Sequence, residues 1–357
     1  VLPMPSRLLP LFFITLLVVT QQATDAAEAS AFVSALDSIQ ADELSAHTDA
    51  LADDAFEGRE AGSRGGRATA NYLMKKLEGY GLKPGGDRGS YFQQFGAYRN
   101  VLAVLPGSDA DLKDEYIVIG AHYDHVGYGT KKNSYGAGYI HNGADDNASG
   151  TAALLEIAEA LTNLREPPRR SILIAFWDAE EKGLLGSKHW MKRPTVPVEK
   201  VRFKINLDMI GRMTGDKVMV YGTRTASELR QVLAREDEHA ALTVSYVWWL
   251  NPRSDHYTFS KAKIPVLMLH TGLHSDYHRP TDDAHKLNAE GMHRISQLMF
   301  ALTYNLAQEP ALPTWRKEGA WESSAQRKVY EAPPASSGPR LGVTWDENVT
   351  ADESPGV

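Results

Sequence analysis

From Asn100 onward, short runs rich in Val, Ile and Leu alternate with longer segments of helical period, and this alternation constrains the fold more than any other feature of the chain. It predicts strands over 101–105, 116–120, 172–177, 203–208, 218–221 and 266–269, and helices over 150–161, 184–191, 226–237 and 289–306. Strands that read as continuous apolar runs are covered on both faces, so helices must lie above and below them. The expected architecture is therefore an α/β, three-layer αβα sandwich around a mixed, mostly parallel central sheet. Ligands of such sheets bind beyond the carboxyl ends of the strands. Upstream, 31–55 reads as one helix and 68–80 as another. Between them lies a turn-rich stretch, Glu57-Gly-Arg-Glu-Ala-Gly-Ser-Arg-Gly-Gly, which is either a loop flanking the site or a solvated connector.

A chain of 357 residues, 43% hydrophobic, is long enough for one large core. A formal charge of −7 and the lack of any basic run argue against a nucleic-acid partner. With no cysteine at all, disulfides, thiolate ligands, a cysteine nucleophile and a lipid-modified cysteine are excluded, so a metal can be held only by His, Asp and Glu. Arg7, the apolar run over 8–19 and the small residues between Ala23 and Ala31 have the layout of a signal peptide over 1–28. The apolar run is short of the ~20 residues that span a bilayer, so export to a periplasm or the exterior is expected, with no membrane span left after removal.

Glu180 and Glu181 follow the apolar run 172–177 as two adjacent like charges. Such a pair is tolerated when a cation binds one carboxylate and leaves the other free to carry protons. His122 closes the run 116–120 two residues before Asp124, an acceptor placed to fix the second ring nitrogen of an imidazole ligand. In His141-Asn-Gly-Ala-Asp-Asp-Asn-Ala-Ser-Gly150, one carboxylate could bridge two cations, or Asp145-Asp146 could cap the following helix. Asp208 is a charge at an apolar strand, costly unless it is paired or metal-bound. Leu273-His-Ser-Asp-Tyr-His-Arg-Pro-Thr-Asp-Asp283 adds His274 and His278. Each has a structural explanation alone; together they describe a metal site.

These segments, with Ala-Glu-Glu-Lys-Gly-Leu-Leu-Gly-Ser and Leu-Asp-Met in the same order, resemble the M28 family of metallopeptidases, the co-catalytic zinc aminopeptidases. The resemblance runs from Asn100 to about Asp283 and more weakly over 51–94. It implies two Zn2+ per chain, one held by His122, Asp146 and Asp208, the other by Asp146, Glu181 and His278. Asp146 rather than Asp145 is the implied bridge, because it lies four residues before Gly150, and a cis peptide is implied at Asp145–Asp146. Glu180 takes the position of the general base for water, Asp124 that of the residue orienting His122, and the substrates implied are peptides with a free N-terminus.

A tyrosine that some small secreted relatives place before Ser-Asp-His has no counterpart here, which leaves Arg253, His256 or Tyr257 as candidate substrate-binding donors, while Trp248 and Trp249 are either pocket or core. A carboxypeptidase or dipeptidase of the same fold, a mono-zinc glutaminyl cyclase and a non-catalytic binding protein are the competing readings. The peptidase domain is expected over 29–309 and a linker rich in Pro, Ser, Glu and Lys over 310–338. The remainder, 339–357, is either a disordered tail or the opening of a PDZ-like module, which some members of the family carry.

Overall fold

A computed structural model describes residues 27–247 and 249–316, together with Ser323 and Ala325. Trp248, the expected leader up to residue 26, most of the expected linker and the whole of 339–357 lie outside the described residues. A helix over 27–37 (α1) is followed by α2 (Ala41–Leu51), α3 (Arg64–Gly79), β1 (Lys83–Pro84), β2 (Phe92–Phe95), β3 (Tyr98–Leu105) and β4 (Tyr116–His122). Next come α4 (Gly150–Thr162), β5 (Ser171–Trp177), α5 (Leu185–Lys192), β6 (Val201–Leu207), β7 (Lys217–Tyr221) and α6 (Leu229–Ala240). The chain continues with β8 (Thr243–Val247), α7 (His256–Lys261), β9 (Val266–His270) and α8 (Ala289–Gln308).

The strands form one sheet in the order β1-β3-β5-β4-β6-β9-β7-β8, with β2 also pairing β3. β5, β4, β6 and β9 run parallel to one another at its centre, while β3 is antiparallel to β5, and β7 to β9. Because side chains alternate along a strand, each central strand feeds two cores. Ile172, Ile174 and Phe176 of β5 join Leu73, Leu154, Leu233 and Ile295 from α3, α4, α6 and α8. Leu173, Ala175 and Trp177 face the other way, onto Trp190 of α5 and Phe259 of α7. The result is the expected three-layer sandwich with a mixed sheet.

The central strands and their helices fall within a few residues of the sequence-based ranges. The single helix expected over 31–55 is instead two, broken at 38–40. The Ser38 hydroxyl takes the Ala35 carbonyl at 2.8 Å, and the turn that follows sinks Ile39 into the core. Beyond α2 the chain enters left-handed conformations at Glu57, Gly58 and Arg59. Beyond α8, residues 314–316 run back along 225–227 through Ser227 N to Thr314 O (3.4 Å) and Arg316 N to Thr225 O (2.8 Å). Among the described residues no helix is long and apolar enough to cross a membrane.

One strand carries a buried amine, its pKa lowered by burial to about 7. Lys204 of β6 lies fully buried between the Trp177 and Phe259 rings, its Nζ donating to Ile205 O at 2.8 Å. Gly120 of β4 makes that possible, since a Cβ there would stand 2.7 Å from both Lys204 Nζ and Trp177 Nε1.

Candidate metal centre

The four parallel strands end on one rim of the sheet, and the expected ligands stand along it. His122 is the last residue of β4, Asp208 follows β6 directly, Glu181 lies four residues past β5, and His278 sits in the turn beyond β9. Asp146 reaches the same rim from the turn that opens α4. His122 Nε2 is 3.4 Å from Asp146 Oδ1 and 3.6 Å from Asp208 Oδ1. His278 Nε2 is 3.1 Å from Asp146 Oδ2 and 3.3 Å from Glu181 Oε2. Asp146 thus turns one oxygen toward each set. Donors each about 2.0–2.2 Å from one tetrahedral zinc would be about 3.3–3.6 Å apart; three of the four separations lie in that range and the fourth, 3.1 Å, is slightly shorter, so both sets suit a zinc ion.

Charge supports the same fit. Burial pushes the Asp146 carboxyl up, but hydrogen bonds to His122 and His278 outweigh it and hold it well below the usual range. Burial pulls His278 down, but Asp146 and Glu181 outweigh it and lift the ring to about 11. His122 is likewise raised well above its ordinary value, burial being overcome by Glu180, Asp146 and Asp208. In the metal-free protein, protons on two histidines supply the positive charge that these carboxylates require. A divalent cation supplies it without protonating the ligands.

Asp145 turns away from this centre. Its Oδ1 accepts from Gly211 N at 2.6 Å and from the Ser149 hydroxyl at 3.0 Å, and its Oδ2 lies 3.1 Å from His274 Nε2. The backbone of Asp146 is held in place, because Asp282 Oδ2 accepts from the N–H groups of both Asp145 (2.9 Å) and Asp146 (3.1 Å). The cis peptide implied at Asp145–Asp146 lies one bond later, at Asp146–Asn147.

Asp124 has a different task from the one expected of it. Its carboxylate stands 3.8 Å from His122 Nδ1, and its main-chain carbonyl, at 3.1 Å, is what meets that nitrogen. The carboxylate instead accepts from Glu180 N at 2.9 Å and Glu181 N at 3.3 Å, pinning the adjacent glutamates to the end of β4. A residue two positions past a strand end has already turned with the chain, so its side chain serves the neighbouring loop.

Glu180 is buried beside Glu181, and burial first, then the Glu181 and Asp255 charges, push its carboxyl well above the usual range. It opens onto a cavity of about 400 Å³ whose floor also holds His122, Asp146, Glu181 and Asp208. The rest of its wall mixes apolar Met209, Met219, Tyr221, Trp249, Met268 and Leu273 with polar Asn251, Ser254 and His270. Arg253 lines the same cavity, but His256 and Tyr257 do not. His256 is wholly buried beneath the wall, where loss of hydration drives its pKa down to about 3 and keeps it neutral. Tyr257 turns to Lys261, whose Nζ lies 4.8 Å from its ring centre. Both sit on the first turn of α7, outside the residues that line the cavity.

Two residues near the centre were not anticipated. His125 Nδ1 lies 2.9 Å from Glu181 Oε1 and 3.8 Å from Asp146 Oδ2. The signal was present as the second histidine of His-Tyr-Asp-His. Tyr277 lines the cavity with its ring stacked on His278 at 3.9 Å. Burial and then Asp146, Glu181, Asp208 and Glu180 raise its hydroxyl far above the ordinary value, so it stays a neutral O–H donor.

Comparison with known proteins places the fold and the family. Leupeptin-inactivating enzyme 1 of Streptomyces exfoliatus is 30% identical over 230 residues, 64% of this chain and 47% of that protein. The LapA aminopeptidase of Legionella pneumophila superposes with a TM-score of 0.65 at 25% identity, covering 78% of this chain and 74% of that one. BSAP, a zinc aminopeptidase from Bacillus subtilis, does so with a TM-score of 0.61 at 15% identity over 75% of this chain and 95% of that one, a likeness of fold. The chain spans less than half the length of the curated relatives it matches. The sequence model of peptidase family M28 matches residues 100–303, from β3 into α8, and every residue of both donor sets lies inside that span: the chain belongs to peptidase family M28.

Proposed function

We propose that this chain is an exported zinc aminopeptidase with two metal ions, one held by His122, Asp146 and Asp208 and the other by Asp146, Glu181 and His278. The observation that carries the reading is the split of Asp146 between two donor sets, one oxygen to each. Bound zinc supplies Lewis acidity, which lowers the pKa of water and polarises a peptide carbonyl.

The chain's own residues supply the rest. A carboxylate oxygen of Glu180 takes the proton from the attacking water and returns it to the leaving amine, a role suited to a buried carboxyl whose affinity for protons is raised. Asp124 keeps that carboxylate in place through the Glu180 and Glu181 N–H groups. The Tyr277 hydroxyl is the donor nearest in character to the tyrosine missing before Ser254, and it would stabilise the oxyanion as charge develops on the carbonyl oxygen. The methionines that line the cavity favour a flexible apolar first side chain. The leader sequence supports export.

The test is a panel of aminoacyl fluorogenic substrates and their N-acetylated counterparts on zinc-loaded protein, with Glu180→Gln alongside. Turnover is expected only with a free amine, and the variant should lose about 10²–10⁴-fold in kcat while retaining zinc by elemental analysis. Cleavage of N-blocked peptides from the carboxyl end would replace aminopeptidase with carboxypeptidase. A fully active Glu180→Gln would remove the base.

A further inference from the structure

Arg59 is a cation with almost no access to water, 1% exposed. Its Nε donates to Tyr123 O at 3.0 Å, Nη1 to Leu51 O at 2.7 Å and to Asn142 O at 2.5 Å, and Nη2 to Gly143 O at 2.8 Å. One guanidinium therefore ties the end of α2 to the residue after His122 and to the turn that leads into Asp146. All four acceptors are main-chain carbonyls, which satisfy its N–H groups without neutralising its charge. The full charges that face it are Asp146, Asp282, Asp124 and Glu181, and although burial lowers its pKa to about 10, it remains cationic at neutral pH.

The backbone around Arg59 is shaped for this placement. Gly58, at φ +65, lies so close to the loop beyond β4 that a Cβ would stand 2.4 Å from His141 O and 2.7 Å from Gly127 O. Gly127 N donates to Gly58 O at 2.9 Å, and His125 N to Arg59 O at 3.3 Å. Burying a cation costs several kcal/mol even after relaxation, and packing alone would be served as well by an apolar side chain. This segment also lies outside the 100–303 span of the family match.

We infer that Arg59 is a positioning residue for the metal centre: it locks the His122 and Asp146 segments to each other and places a fixed positive charge behind the gathered carboxylates. It touches neither substrate nor reacting atoms, and the inference rests on the zinc reading above.

The full chain, wild type and with Arg59→Met or Arg59→Lys, is stripped of metal and titrated with zinc against a chromophoric chelator well below its unfolding temperature. Thermal unfolding in EDTA is followed in parallel. Arg59→Met is expected to lose about 10- to 100-fold in zinc affinity at one or both sites, the range seen when residues supporting metal ligands are removed. Arg59→Lys, which keeps the charge with fewer donors, should lose less. A role in stability alone would lower the unfolding temperature and leave the zinc affinity of the folded variants equal to wild type, which overturns the inference. Should Arg59→Met fail to fold, Arg59→Lys decides: weaker zinc binding supports the inference and unchanged binding overturns it. A wild-type chain that took up no zinc would instead defeat the metal reading itself, and this inference with it.

Discussion

On the floor of the cavity, His122, Glu181 and Asp208 each stand within four residues of the end of a parallel strand, and main-chain contacts hold them there. The facing wall takes Met219 from β7, Trp249 from the segment after β8, Met268 from β9 and Leu273 from the loop beyond it. The floor is polar, buried and tied by hydrogen bonds; Trp249 and Leu273 on the wall are 62% and 69% exposed. Chemistry that needs donors placed to fractions of an ångström is assigned to strand ends, where the sheet fixes the backbone. Selection among side chains needs only shape and apolar area, and the wall supplies these from buried Met209, Tyr221 and Met268 as well as from exposed Trp249 and Leu273.

If floor and wall are separable, variants on each should move different observables. After Glu180→Gln, the largest effect is expected at Tyr277, whose ring stacks on His278. Tyr277→Phe should lower kcat by about 10²–10³-fold, the cost of removing one oxyanion donor, with zinc content unchanged. Loss of zinc in that variant would make Tyr277 a prop for His278 rather than a donor to substrate.

The next effect belongs to the floor alone and appears with pH. In the metal-free protein His278 holds a proton, with its pKa lifted to about 11, and zinc requires the neutral ring. Proton and metal therefore compete, so zinc affinity should rise with pH throughout the neutral range, by up to about tenfold per unit for each proton displaced. Calorimetric zinc titrations in buffers of different ionisation enthalpy would count those protons. Zinc affinity that stays flat between pH 6 and 8 would show that the histidines carry none.

The smallest effect should come from the wall. Met219→Ala ought to shrink the preference for a leucyl over an alanyl substrate by about tenfold or less, the scale of one or two methylenes in an apolar pocket. Zinc affinity should not change. A variant that lost zinc would join the two regions that the structure separates.

The floor was legible in the sequence because its members stand next to the features that reveal the sheet. Glu180 and Glu181 break the apolar run of β5, Asp208 ends β6 and His122 ends β4, so pattern and chemistry coincide. Of the wall only Trp249 and Arg253 were legible, each as one of several readings, and β8 and α7 were not. A six-residue helix has almost no intrinsic stability, and α7 exists because Phe259 packs on Trp177 and Trp190. His256 and Tyr257 drew attention by their neighbourhood in the sequence, yet that short helix carries them behind the wall. Arg59 was hidden in a segment read as a loop, since four contacts to carbonyls leave no trace in residue pattern.

By itself, then, the sequence determined the layered α/β architecture, the absence of thiolate chemistry and which residues are candidate metal donors. Those follow from periodicity, composition and charges set at the ends of apolar runs. The tertiary structure alone decided which oxygen of Asp146 meets which histidine, that Asp124 serves the glutamates, and which residues face Glu180 across the cavity. These depend on the order β5-β4-β6-β9-β7 in the sheet, and strand order is set by pairing between distant segments that no local run of residues encodes.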